Sequence, residues 1–258
     1  MTAAVTTPPR FDVGRVMSRM FGAIGRNGLV FGLLATAMMG IPELLLGVAQ
    51  KMTLNGHAVA SLDATTVLIS SGSGALILLI FYPVLQAALM HGVVADLNGR
   101  RPGFGECVAT GFRFFFPVIG ITVLMFIALM FGFLFFIIPG VLMFLAWSVA
   151  LPAEIVERTG VFRAFSRSAD LTRNHRGAIF GLYMLFTIFS WILSAVVFGV
   201  SAGAMTTTMQ ISWAGIVVSA VVQVLQTLIG AAGSASIYYE LRSIKEGIGP
   251  DELAAVFD

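Results

Sequence analysis

Cysteine occurs once in this chain, at position 107, and charge is scarce, since Lys, Arg, Asp and Glu together make up 11% of 258 residues. A single thiol excludes an intramolecular disulfide and most cysteine-based metal sites. Histidine occurs only at 57, 91 and 175, in three regions without metal-ligand spacing, so metal catalysis has no support. The net charge is only +2, which leaves a nucleic-acid partner with little basis. No glycine-rich phosphate loop or nucleophile elbow is present, and "SSGSGA" at 70–75 lacks the lysine of a P-loop. Nothing in these patterns asks for a cofactor, and the reading is of a protein that is not an enzyme.

Apolar residues fill the space, at 58% of the chain against a soluble norm of about 45–50%. They fall in runs long enough to cross a hydrocarbon layer of about 30 Å. Six spans are predicted, at 28–50, 70–95, 114–136, 138–156, 177–200 and 211–237. The third and fourth share one uncharged stretch, where Pro139-Gly140 in "IIPG" is the expected turn. The first run is too long for a signal-peptide core and is interrupted by Pro42-Glu43, so it reads as a retained span. The fold class is therefore all-α, a polytopic membrane helix bundle. A single integral membrane domain covers 1–258: an amphipathic segment at 1–27, six spans with short loops at 28–237, and a tail at 238–258.

Basic residues give an independent check on this threading, because short cytoplasmic loops carry an excess of them. With the N-terminus inside, the inner segments collect Arg10, Arg15, Arg19 and Arg26; Arg100, Arg101 and Arg113; Arg158, Arg163, Arg167, Arg173 and Arg176; and Arg242 and Lys245. Lys51 alone remains on the other side. An odd number of spans would destroy the partition, so both termini are expected in the cytoplasm.

The inner segments also have a common shape, each predicting a short helix with one apolar face. The faces carry Val16 and Met20 before span 1, Phe104 and Val108 before span 3, and Phe162 and Phe165, with Ala164, Ala169 and Thr172, before span 5. Leu253, Val256 and Phe257 repeat the spacing in the tail. The chain thus reads as three copies of surface helix, span, span, closed by a fourth surface helix. "GRNGLVFG" at 25–32 is matched by "NHRGAIFG" at 174–181. Such helices lie in the interface, with Phe and Val in acyl chains and arginine at anionic headgroups. Arg100, Arg101, Arg163, Arg167, Arg173 and Arg176 are the expected contacts with anionic lipid or a protein partner, a second copy of the chain included. The alternative is that the arginines only set topology and the apolar faces pack on the ends of the bundle.

Ionisable or amide side chains inside spans are costly and need a reason. Glu43 is expected toward the outer side of span 1, and Glu154 near the inner surface, paired with Arg158 one turn on. Ser219, Gln223, Gln226, Gly230 and Ser234 form a stripe on span 6, and Thr187, Ser190 and Ser194 another on span 5. These stripes supply helix packing, or else line a polar groove for a solute or lipid headgroup.

Three segments carry a resemblance. "FDVGRVMSRMFGAIGRN" at 11–27, "PGVLMFLAWSVALPAEIVE" at 139–157 followed by "GVFRAFSRSADLTR", and "YYELRSIKEG" at 238–247 resemble the membrane domain found fused to some bacterial glycerophosphoryl diester phosphodiesterases and also occurring alone. The resemblance implies six helices in the bacterial cytoplasmic membrane. It implies no esterase activity, because the catalytic part of such fusions is a separate soluble domain. His175-Arg176-Gly177 matches the triplet that opens that domain, but "AIFGLYMLFTIFS" follows it without a carboxylate to bind metal. The function expected is that of a non-enzymatic scaffold engaging lipid or a partner through its basic helices, the alternative being a transporter or lipid-handling protein using the stripes of spans 5 and 6.

Overall fold

Asp12 starts the first helix, its carboxylate accepting the Arg15 backbone N–H at 3.2 Å, as an N-cap residue does. The computed structural model describes residues 11–54, 64–202 and 211–247, and among these there is no strand. The helices are α1 (Val13–Arg26), α2 (Gly28–Ala35), α3 (Ile41–Leu54), α4 (Ala64–Leu97), α5 (Phe104–Arg113), α6 (Phe115–Phe135), α7 (Ile137–Trp147), α8 (Ala150–Glu157), α9 (Val161–Thr172), α10 (Arg176–Ala202) and α11 (Trp213–Glu246). Six stretches are long and apolar enough to cross a membrane: Gly28–Thr53, Leu79–Leu97, Phe115–Phe135, Ile137–Glu157, Arg176–Ser201 and Trp213–Glu246. The short helices α1, α5 and α9 precede the first, third and fifth of them. The tail residues 253–257 lie outside the described residues.

Proline shapes two of these stretches. Pro42 has no N–H to offer the Met38 carbonyl, and the turn just before it widens into a π-helical turn, Thr36–Gly40, closed by the Ile41 N–H on the Thr36 carbonyl. Pro152 accompanies a full break between α7 and α8, whereas Pro83 sits inside α4 without ending it.

The turn expected at Pro139-Gly140 lies elsewhere. Phe136 alone, in extended conformation, separates α6 from α7, and Pro139 occupies the first turn of α7. There a missing N–H costs nothing, since the first four N–H groups of a helix have no intrahelical partner. Gly140 is pressed against Phe133 of α6, where an added Cβ would come within 2.7 Å of the ring.

Helix α11 is the axis of the bundle. It packs on α1, α3, α4 and α10, and its residues 231–238 are buried without a gap. Val16 and Met20 of α1, Phe31 and Leu34 of α2, and Leu85 and Leu89 of α4 close the core around it. By contrast α6 and α10 turn large apolar side chains outward, among them Phe126, Leu134, Trp191 and Phe198.

Candidate functional site

In an uninterrupted helix the Ser148 carbonyl would accept from residue 152, but that residue is proline and has no N–H. The carbonyl is left free in the middle of the fourth apolar stretch. Two side chains from other helices take it: Tyr183 Oη of α10 and Ser234 Oγ of α11 each donate at 3.3 Å. The other loose ends of the break are met by α9. The Val149 N–H donates to Ser168 Oγ at 3.2 Å, and Ser168 Oγ donates in turn to the Ala146 carbonyl at 2.8 Å. Thr172 Oγ1 also reaches the Ala146 carbonyl, at 3.3 Å. A buried backbone without these partners would be expensive, so α9 is part of the structure of the fourth apolar stretch.

Around the break opens a cavity of about 390 Å³. Its walls are of two kinds. Phe144, Trp147, Met90 and Met125 are apolar, while Gln86, Ser148, Tyr183, Gln223, Thr227 and Ser234 offer hydrogen-bonding groups. Among the described residues no Asp, Glu, Lys, Arg or His lines it. Most of the polar groups also serve the protein. Thr227 Oγ1 donates to the Gln223 carbonyl at 2.8 Å, and Ser148 Oγ to the Leu145 carbonyl at 2.9 Å. The Gln223 side-chain amide is different, having no hydrogen-bond partner among the described residues. Gln223 thus lines the cavity with two donors and two acceptor lone pairs that no described residue takes up.

No family model, curated protein or solved structure matches this chain. The chemistry of the cavity must be judged from its own atoms. It suits an uncharged molecule that carries hydrogen-bonding groups beside an apolar part, because buried polar walls reward such groups and nothing compensates a buried charge.

Both amides singled out in the sequence line the cavity, and of the two Gln226 also donates to the Ser190 carbonyl at 3.3 Å and to Ser194 Oγ at 3.4 Å. One stripe thus does both jobs proposed for it. Tyr82, Gln86, Ser148 and Tyr183 were not legible as site residues. A proline four residues after Ser148 was the one available signal.

The interfacial apolar faces need correction. Val16 and Met20 are fully buried against the bundle, not turned to lipid. On α9 the inward positions are Ala164, Ser168, Leu171 and Thr172, so Phe162 points away at 78% exposure. Phe165 is half-buried, edge-on to the Trp147 ring at 4.9 Å. Val108 packs partly on the core and Phe104 is exposed.

The arginines also divide. Arg100 pairs with Glu106 at 2.7 Å, and the Glu106 carboxyl is held below its usual range by the His91 hydrogen bond and the Arg100 charge. Arg167 lies against both Glu157 oxygens at 2.9 Å and also pairs with Glu246. Arg101, Arg163 and Arg173 are exposed and have no ion pair among the described residues. Arg176 is partly buried, with Nε lacking a hydrogen-bond partner among them. The expected Glu154–Arg158 pair is not formed. Glu154 is buried and accepts the Gly160 N–H at 2.7 Å, while the Arg158 guanidinium lies over the Phe114 ring at 5.9 Å. Arg158 takes a left-handed conformation, φ 53°, to end α8, and that turn carries its side chain away from Glu154. Glu43, inside the first stretch, has no hydrogen bond or ion pair among the described residues.

Proposed function

We propose that this is a non-enzymatic multi-pass protein of a bacterial cytoplasmic membrane that takes up a neutral, partly polar molecule, a solute or an uncharged lipid headgroup, in the cavity beside the α7–α8 break. The observation that carries this is the Gln223 amide, without a partner among the described residues, at a cavity halfway along the bundle that none of their charged side chains lines. Ser148 is twelfth of the 21 residues of Ile137–Glu157, and Gln223 is eleventh in α11, so both lie near mid-membrane if these helices span it. Broken helices at that depth, with freed backbone groups lining a cavity, are a recurrent way of making binding sites in membrane transport proteins. The outward-facing apolar side chains of α6 and α10 and the one-sided arginines support the membrane placement. The likeness of residues 11–27, 139–157 and 238–247 to the phosphodiesterase-associated membrane domain is in line with it.

Gln223→Leu is expected to lower the amount of bound molecule about tenfold, the upper end for losing a single hydrogen-bonding group. Native mass spectrometry of wild type and variant from mild detergent measures this, with the thermal midpoint as the folding control. Gln226→Leu should also lower the midpoint, because that amide is bonded to Ser190 and Ser194. A Gln223→Leu protein that loses stability but keeps its occupant would make the stripe a packing seam only.

The scaffold reading keeps one specific support, the exposed and unpaired Arg101, Arg163 and Arg173, which leave a basic surface for anionic lipid or a partner protein. Its side of the membrane can be tested with thiols. Cys107 is buried and its thiol is pushed up to about 11, by burial first and by the Glu106 charge second, so it should stay silent toward a maleimide at neutral pH. Ser166→Cys on the exposed side of α9 should then react with an impermeant maleimide in inside-out vesicles, and Thr53→Cys only in right-side-out ones. The opposite pattern would put the arginines outside.

A further inference from the structure

We propose that the groove between the α1–α2 junction and the end of α4 is a discrete headgroup site for an anionic phospholipid. The phosphodiester would lie at Arg101 and Arg26, and an acyl chain along Leu29. This rests on the helices spanning a membrane and is independent of what occupies the cavity.

The groove encloses about 430 Å³, with Arg26, Arg101 and Asp96 around it and Leu29, Val30 and Pro102 forming its apolar parts. Asp96 would repel a phosphate if it faced the groove, but its side chain is only 7% exposed. Its Oδ1 accepts from Asn27 Nδ2 at 2.6 Å and Arg26 Nε at 3.2 Å, and its Oδ2 from Arg26 Nη2 at 2.5 Å. Above it the Arg26 side chain remains 59% exposed. Arg101 is held nearby by a tight turn, in which the Gly99 N–H donates to the Asp96 carbonyl and the Arg100 N–H to the Ala95 carbonyl, both at 2.9 Å. Gly99 permits this turn at φ +75°, and Pro102 is buried directly after Arg101. With one carboxylate against two guanidiniums, the groove carries a net positive charge matching a phosphodiester monoanion.

The neighbouring apolar surface distinguishes a lipid from a free anion. Leu29 is 77% exposed and Leu33, one helical turn on, is also exposed, so an oily strip runs from the guanidiniums along the start of the first apolar stretch. A soluble phosphate would gain nothing from that strip. A phospholipid would fill the groove and the strip together.

The test uses the full chain in detergent, titrated in native mass spectrometry with phosphatidylglycerol, phosphatidylcholine or sodium phosphate. Arg101→Gln should weaken phosphatidylglycerol binding about fivefold, the worth of one basic residue at an anionic surface, with an unchanged thermal midpoint. Phosphatidylcholine should bind weakly to both proteins. Arg113→Gln, another exposed arginine without an ion pair among the described residues, is the control and should bind like wild type. An Arg101→Gln protein that retains wild-type affinity overturns the site. Equal losses in Arg101→Gln and Arg113→Gln overturn it in favour of a diffuse basic rim. Displacement of the lipid by an equal concentration of inorganic phosphate overturns the lipid as occupant. Recovery of the chain without detergent would instead sink the membrane reading itself.

Discussion

Replacing Glu240 with alanine is expected to loosen α1 from the bundle and to lower stability by about 3 kcal/mol. Glu240 lies on α11 with its side chain 1% exposed, and it is the counter-charge for two arginines of α1. Arg15 Nε donates to it at 2.8 Å, and Arg19 pairs with its other oxygen while lying over the Tyr239 ring at 5.0 Å. Removing one member of a buried pair typically costs about 3–5 kcal/mol. The lower end applies here, because Arg15 and Arg19 are nearer to water than Glu240 and can rehydrate. Val16, Met20 and Ala23 would still hold α1 by apolar contact, so partial release rather than unfolding is the outcome sought. Hydrogen exchange over residues 13–26, read beside the thermal midpoint in detergent, checks it. Unchanged protection of α1 would mean that the ion pairs contribute nothing there.

Gly111→Val should destabilise the protein by about 3 kcal/mol, the upper range for overpacking a filled contact. A Cβ at Gly111 would lie 2.5 Å from the Val84 carbonyl oxygen. That atom belongs to the α4 backbone and cannot rotate aside, so α5 would have to move away. The shift would also disturb Cys107, buried one turn earlier on the same face of α5. Gly105→Val, on the same short helix but with open space around it, should leave the thermal midpoint unchanged. If the two variants melt alike, the close approach of α4 and α5 is not a constraint.

Both effects depend on helices that the sequence presents as surface elements. An apolar stripe on α1 is equally compatible with lipid and with a protein core, because hydropathy reports how much a side chain avoids water and not what replaces the water. The position of α1 was legible, but its use was not. Ser168 shows the same limit. It reads as a polar residue on a basic helix, yet it joins two backbone groups of another span, and only a register of α9 turned away from Phe162 makes that contact possible.

The arginines were legible as a set and not one by one. Their one-sided distribution follows from counting along a threaded chain. Whether Arg100 or Arg101 faces solvent unpaired depends on a turn placed by Gly99 and on Glu106 lying within 2.7 Å of the first and not the second. Gln223 and Gln226 likewise share a stripe three residues apart and line one cavity, and the packing of α10 gives a hydrogen-bond partner only to Gln226 among the described residues.

From the sequence alone come the six apolar helices, the places of the three short helices before alternate spans, and the unequal distribution of basic residues. These are sums over neighbouring residues, and a one-dimensional pattern contains them. The partners of Glu240, the groups that meet the break at Ser148, and the lack of a described partner for the Gln223 amide were decided by tertiary structure. They join side chains as many as 225 positions apart, at distances where an ångström separates a hydrogen bond from a void, and no local pattern encodes that geometry.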